Sequence, residues 1–420
     1  MYGRMNSERL QIGIYCLAAY ARTDEHIRDA AESGLDFFVD VPYDRAMLDK
    51  FQKYGLGALV TGVCHIDFAS RDPEGKSRDI YKMEIYRKSV ESFADHPAIW
   101  GIDLGDEPSA MLYPFIGQVV DYVRDHFPHQ FPSLNLLPTY ADPAESPEQI
   151  PESQLGAMSY KDYIDQYCRY VPCQHICYDH YPYNADYKKS KTDYSERINE
   201  YYENLRIVED ACRSTGRRHW LVVQVNTKFP DVYDISLNRM RFQAFSGMAF
   251  GVETIIWACY TAGWWQQNIL DKDGNKTAQY DKMKQVNKEI HTIGEEYMKY
   301  RNVATHFVGF EGHPDIRNVN AEPVESLDTG VFMGVRMDNG SPLLVGQMVS
   351  RRDEDGYALM ICAADDTHDI DNTSGYVTFR CRSRSVMAYG GNGKINVIRN
   401  EDGSYAIPIH SCEGILITAR

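Results

Sequence analysis

From residue 11 to about residue 298 the chain alternates short apolar runs with amphipathic stretches, and the alternation repeats eight times. The apolar runs are "QIGIYCL" (11–17), "DFFVDV" (36–41), "GALVTGV" (57–63), "AIWGIDLG" (98–105), "SLNLLP" (133–138), "HICYDHYPY" (175–183), "WLVVQVN" (220–226) and "ETIIWACY" (253–260). Each is short and predominantly apolar, which predicts a buried strand. Between and after them the 3.6-residue period predicts helices near 23–34, 44–54, 80–94, 109–127, 160–170, 193–214, 237–250 and 277–298. Thr23 is a candidate cap for the first helix, and Gly34 and Gly55 are candidate stops. Eight βα units in strict alternation predict a closed (β/α)8 TIM barrel over about 1–300. An open doubly wound sheet usually carries a Gly-rich phosphate loop after an early strand, and this chain has none.

After residue 300 the pattern changes to short runs such as "GVFMGVRM", "YALMICAA", "YVTFRCR" and "GILITAR", with turn signals "DNG", "GNG" and "EDG" between them. The prediction is a small all-β sandwich over 301–420. The 420 residues suffice for a barrel and this second module.

Composition narrows the partners. The net charge of −16 disfavours nucleic acid and anionic lipid, so a neutral partner suits the surface better. The chain lacks an apolar run long enough to span a membrane. "IGIYCLAAYA" (12–21), preceded by Arg4 and Arg9, has the makings of a short leader, but the eight-unit topology needs a strand there. The ten cysteines are scattered, mostly in apolar runs, and read as small buried hydrophobes. Cys168, Cys173 and Cys177 match no zinc or cluster spacing. The Asp-rich "DDTHDID" (365–371) lacks calcium-loop spacing and reads as a solvated loop. Thirty tyrosines suggest clefts lined by rings that carry hydroxyls.

Barrel chemistry sits at the C-terminal ends of the strands, and there "WGIDLGDEPSA" (100–110) places Asp106 and Glu107 directly before Pro108. Strict alternation puts Trp100, Ile102 and Leu104 against the helices and aims Gly101, Asp103, Gly105 and Glu107 inward. The glycines then leave room below Glu107, and Pro108 opens the next helix.

At this point the chain resembles the clan A glycoside hydrolases, in which the fourth strand ends in an acidic or amide residue, then Glu, then Pro. "HPAIWGIDLGDEPSA", "LNLLPTY" and "YDHYPY" resemble barrel glycosidases of carbohydrate-degrading gut bacteria that carry a C-terminal β-sandwich. The resemblance covers most of the chain. It implies Glu107 as general acid, an oligosaccharide or polysaccharide as substrate, no organic cofactor and no required metal. It also implies a periplasmic or extracellular location after removal of a leader, and a cytoplasmic one otherwise. Two departures stand out. Asp106 occupies the place of the usual Asn, and the seventh strand offers Gln224 and Asn226 where clan A has its nucleophilic Glu.

The second carboxylate must therefore come from another strand. Candidates are Asp179, Asp106, Asp103 and Asp40. Asp179, beside His180, Tyr181 and Tyr183, is best placed to reach across the mouth, with a structural acid as its alternative role. Because aspartate is the shorter acid, the expectation is an inverting, water-mediated reaction with Glu107 as acid and Asp179 as base. Asp106, Asn135, Tyr15, Tyr181 and Gln224 are candidate hydroxyl-binding groups, and Trp257, Tyr260 and Trp265, with Trp264, are candidate sugar-stacking rings. His65 with Asp67, or His180 with Asp179, have metal-chelating potential but read more simply as hydrogen-bonding groups. Glu253 begins its strand and lies at the wrong end of the barrel for catalysis. Two other functions stay open: a barrel that has lost catalysis and only binds carbohydrate, and a polysaccharide lyase using Glu107 and a tyrosine.

Overall fold

The computed structural model describes residues 5, 8–62, 81–184, 191–228, 234–261, 263, 265–317, 319–352, 356–364 and 374–420. His65, Asp67, Trp264 and the 365–371 segment lie outside the described residues.

Eight parallel strands close into a barrel in sequence order. They are β1 (Gln11–Tyr15), β2 (Phe37–Val41), β3 (Gly57–Val60), β4 (Ile99–Asp106), β5 (Phe131–Leu136), β6 (His175–Asp179), β7 (Arg218–Gln224) and β8 (Val252–Ala258). The helices are α1 (Asp24–Glu32), α2 (Arg45–Tyr54), α3 (Tyr81–Val90), α4 (Tyr113–His126), α5 (Tyr160–Tyr170), α6 (Lys191–Thr215), α7 (Leu237–Ala249) and α8 (Ala278–Tyr297). Side-chain caps fix many helix starts: Thr23 accepts from the His26 N–H and Asp44 from the Met47 N–H. Gly55 ends α2 in the left-handed conformation, with φ 75°. The fourth unit departs from expectation, because Pro108 does not open a helix. Ser109 caps a short 3-10 turn (Ala110–Leu112), and α4 starts later with Pro114 in its first turn.

The barrel interior is plugged below the mouth by aromatic rings. Phe131 stacks on Trp220 with centroids 5.1 Å apart, His175 lies 4.4 Å from Trp220, and Phe37 lies 6.2 Å from Trp100. Trp100 thus joins the interior and does not face the helices. The cause is a bulge: Ala58 pairs with Ile99 and Leu59 with Gly101, so residue 100 is extra in the ladder. Gly101 leaves no room for a ligand either, since a Cβ there would sit 2.2 Å from the Phe131 carbonyl oxygen.

A β-sandwich follows. Its strands are β9 (Tyr300–Val308), β10 (Phe332–Met337), β11 (Leu343–Ser350), β12 (Tyr357–Ala363), β13 (Ser374–Cys381), β14 (Val386–Gly390), β15 (Gly393–Ile395), β16 (Ile398–Arg399), β17 (Tyr405–His410) and β18 (Gly414–Ala419). One sheet runs β10-β13-β17-β16 and the other β15-β14-β18-β12-β11-β9. The six-stranded sheet is covered on both faces. Leu359 and Ile361 of β12 pack into the sandwich core, while Ala358, Met360 and Cys362 join the core shared with the barrel. Burial on both sides explains why "YALMICAA" reads as a continuous apolar run.

The contact with the barrel is close. A Cβ at Gly346 of β11 would lie 2.1 Å from the Ala249 carbonyl oxygen at the end of α7. Gly346→Ala is therefore expected to destabilise the protein by about 1–3 kcal/mol through overpacking, read by urea denaturation. Unchanged stability would mean the sheet does not sit on α7 this tightly.

Candidate active site

The mouth of the barrel gathers Asp40, Asp103, Asp106, Glu107 and Asp179 on the ends of β2, β4 and β6. Bulges aim two of them. In β2, Phe38 pairs with Ala58 and Val41 with Val60, so one residue between them is extra. Asp40 there has φ 55° and meets the Cys16 thiol, 3.9 Å away. In β4, Asp103 pairs with Ser133 and Asp106 with Asn135, again with one residue extra. The second bulge turns Asp106 into the mouth, and Glu107 follows with φ 49°. Cys16, Asp40 and Glu107, all non-glycine residues in the left-handed region, stand together at this rim. Each such residue costs about 1–3 kcal/mol, and strain of this kind concentrates at functional sites.

Asn135 fastens the acids. Its amide nitrogen donates to Asp106 Oδ1 and to Asp179 Oδ1, each at 2.9 Å. Its oxygen accepts from the Cys177 thiol at 3.7 Å. Both of its N–H donors are thus committed to the acids, not free for a sugar hydroxyl as the sequence suggested. Asp179 is buried and its Oδ2 meets no donor; the Glu107 carboxyl stands close enough to perturb it. Glu107 and Asp106 are only partly buried.

Two carboxyls this close resist ionising together. Burial, then the neighbouring Asp106 charge, pushes Glu107 up to about 7, with the Asp179 carboxyl and Lys228 acting the other way. Burial and then the Glu107 and Asp106 charges hold Asp179 well above the usual carboxylate range. Below them, burial and then Asp40 and Asp106 raise Asp103 in the same direction.

The remaining sequence candidates divide. Tyr15 and Tyr181 stand at the mouth, each partly buried and electrostatically close to Asp106. Trp265 meets Tyr181 edge-on at 5.1 Å, and the Lys228 ammonium lies 5.6 Å from its ring centre. Tyr140, missed from sequence, joins them, close to Asp179 and Glu107. The quoted stretch "LNLLPTY" contained it, but only the β5–α5 loop geometry brings it over the acids.

Three candidates fall away. Trp257 faces outward, its indole N–H donating to Asn287 of α8 at 2.8 Å, because Ile256 and Ala258 hold the inward positions on β8. Tyr260 also packs among the helices, edge-on to Phe38 at 5.4 Å. Gln224 points inward, but its amide is spent on the backbone of Tyr183 and Asn226. Asn226 is likewise tied to the backbone of Cys259. His180 turns away from Asp179 and bonds Asn204 of α6, so the two do not form a chelating pair. Glu253 sits at the opposite end, held by Arg218 and Arg351. Among the described residues no group of three or more His, Cys, Asp or Glu is placed to hold a metal ion, and no helix is long and apolar enough to cross a membrane.

No family model matches the chain, and no curated protein matches it in sequence. Among solved structures it is similar to a cycloisomaltooligosaccharide glucanotransferase of Paenibacillus sp. complexed with cycloisomaltoheptaose. That likeness has a TM-score of 0.57 at 6% identity and covers 98% of this chain and 85% of that one. An α-L-arabinofuranosidase of Thermotoga maritima aligns at TM-score 0.43 and 10% identity over 94% of this chain and 89% of that one. A β-glucuronidase of Lactobacillus rhamnosus aligns at TM-score 0.46 and 13% identity over 66% and 49%. At such identities the likeness is one of fold. The shared architecture is a closed eight-stranded parallel barrel followed by two antiparallel sheets.

The raised pair has a cost that depends on pH. A carboxyl raised on folding stabilises the native state fully below its ordinary value of 4.5 and loses that contribution as pH rises through about 7. Discounted for partial exposure, Glu107 accounts for about 2–3 kcal/mol of this loss. Glu107→Gln is therefore expected to match the parent in stability near pH 4 and to exceed it at pH 8. Urea denaturation at both pH values measures the difference, and equal slopes with pH for parent and variant would refute the shift.

Proposed function

We propose that this protein hydrolyses glycosidic bonds in a neutral oligosaccharide or polysaccharide, with Glu107 as the proton donor and Asp179 as the second carboxylate. One observation carries the reading: the Glu107–Asp179 pair stands at the C-terminal mouth of the barrel, with Glu107 raised to about 7. A carboxylic acid that keeps its proton near neutral pH is what protonation of a leaving oxygen requires. The pair is asymmetric in support. In the free protein the contact between the two carboxyls raises Asp179 and lowers Glu107, so the shared proton rests on Asp179. The reading requires that it pass to Glu107 when a sugar oxygen replaces that contact, with Asn135 then stabilising the ionised Asp179.

The closeness of the pair favours retention over the inverting course expected from sequence. Retaining pairs stand about 5–5.5 Å apart, the lesser opening for this pair to make. In the first step an Asp179 oxygen bonds to the anomeric carbon while the glycosidic bond breaks and the Glu107 proton passes to the departing oxygen. In the second step water attacks the same carbon, gives a proton to Glu107 and releases Asp179. Asp106 accepts from sugar hydroxyls, and Tyr181 with Trp265 offers rings for the apolar sugar face. The lyase alternative loses support, since burial raises the phenols of Tyr15, Tyr140 and Tyr181 and makes them poor bases. The binding-only reading keeps one observation in its favour, the committed amides at the seventh strand.

Glu107→Gln is expected to lower turnover by about 10²–10⁴, least for substrates with good leaving groups, in a panel of aryl glycosides and glycans assayed for released sugar. Binding without turnover by the parent would select the binding-only reading, and full activity in the variant would remove Glu107 from its role. Asp179→Asn is expected to abolish turnover. NMR of the first anomer released should show retained configuration, and an inverted product would restore Asp179 as a base acting through water.

A further inference from the structure

A polar cavity opens at the end of the barrel away from the acids, where the start of β7 and the α7–β8 junction meet β9 and β11 of the sandwich. Its volume is about 310 Å³, the lower end of the range for small-molecule sites. Arg213, Arg217, Arg218, Arg301 and Arg351 line it, against the carboxylates of Glu209 and Glu253. Those carboxylates are already engaged. Glu253 places one oxygen on Arg218 and the other on Arg351, at 2.9 and 2.6 Å, and Glu209 is bonded to Arg206 and Thr305. Arg213 is partly spent as well, on Asp210 and the Val303 carbonyl.

Donors remain. Arg217 Nη1 and Arg218 Nη2 are buried with no hydrogen-bond acceptor, although Arg217 is held in place by the carbonyls of Cys168, Val171 and Cys173. Leaving a buried charged donor unpaired costs about 1–3 kcal/mol or more. Concentrating five guanidinium groups at one cavity in a chain of net charge −16 adds their mutual repulsion. Those two nitrogens lie behind the cavity wall, but an anion held by the guanidinium groups that line the space relieves their repulsion. The planar forks of arginine match the oxygens of a phosphate in bidentate fashion.

We propose that this cavity binds a phosphate group, free or carried on a molecule as small as a sugar phosphate, and that the bound anion braces the barrel against the sandwich. The site is separate from the carboxyl pair, and its occupation does not depend on the glycosidase reading.

The test is isothermal titration and thermal unfolding of the full chain with inorganic phosphate, glucose 6-phosphate, glucose and sodium chloride at matched ionic strength. Millimolar or tighter binding of phosphate or glucose 6-phosphate is expected. A rise in Tm of at least about 2 °C over chloride should accompany it, while glucose does nothing. Tighter binding of glucose 6-phosphate identifies a sugar phosphate, and equal or tighter binding of inorganic phosphate identifies the free ion. Arg301 is exposed at the edge of the cavity, so Arg301→Glu keeps the fold and is expected to weaken binding at least tenfold. The proposal fails if phosphate and glucose 6-phosphate act no differently from chloride, or if the Arg301→Glu variant binds as the parent does.

Discussion

Neighbouring carboxyl groups, largely withdrawn from water, resist ionising together, and the barrel mouth is organised around that constraint. Left alone, Glu107 and Asp179 would separate and hydrate. Asn135 prevents this on one side by fixing Asp179 and Asp106 with one amide. On the other side, the left-handed turn at Glu107 holds its backbone N–H on the Asn135 carbonyl at 3.0 Å. Below, the rings of Phe131, Trp220 and Phe37 exclude water from the barrel floor. The low dielectric that this creates is what raises the carboxyls, since burial is the first cause for Glu107, Asp179 and Asp103 alike.

The eight βα units were legible because each strand and helix obeys its own period, with capping residues where the helices begin. The direction of individual side chains was less so. Alternation counts residues in twos, and a bulge adds one. The two bulges in β4 turn Trp100 inward and turn Asp106 to the mouth alongside Glu107, neither of which a count of twos allows. The bulge in β2 turns Asp40 the same way. Nothing in the composition of "WGIDLGDEP" marks these extra residues; they show only in the pairing with β3 and β5.

Trp257 and Tyr260 failed for a different reason. A large ring near the end of a barrel strand suits both the mouth and the helical layer, and its polar atom finds a partner in either. Parity decides: with Ile256 and Ala258 inward, Trp257 meets Asn287 on α8. Gln224 and Asn135 illustrate a further limit. An amide at a strand end looks available in sequence, but the nearby backbone or acids claim its hydrogen bonds. Such claims are made by residues distant in the chain, so only the folded structure displays them.

The ends of the barrel differ in charge because they differ in what surrounds them. At the mouth, loops leave partly open space, and unbalanced acids can be tolerated there because protonation relieves them. At the other end the sandwich closes over the strand starts, and arginines cannot shed their charge. They must be paired, as Glu253 pairs Arg218 and Arg351, or meet an outside anion. An acid-rich site thus adapts by binding protons, whereas an arginine-rich one adapts by binding counter-ions. The same fold therefore gathers its acids at one end of the barrel and its arginines at the other.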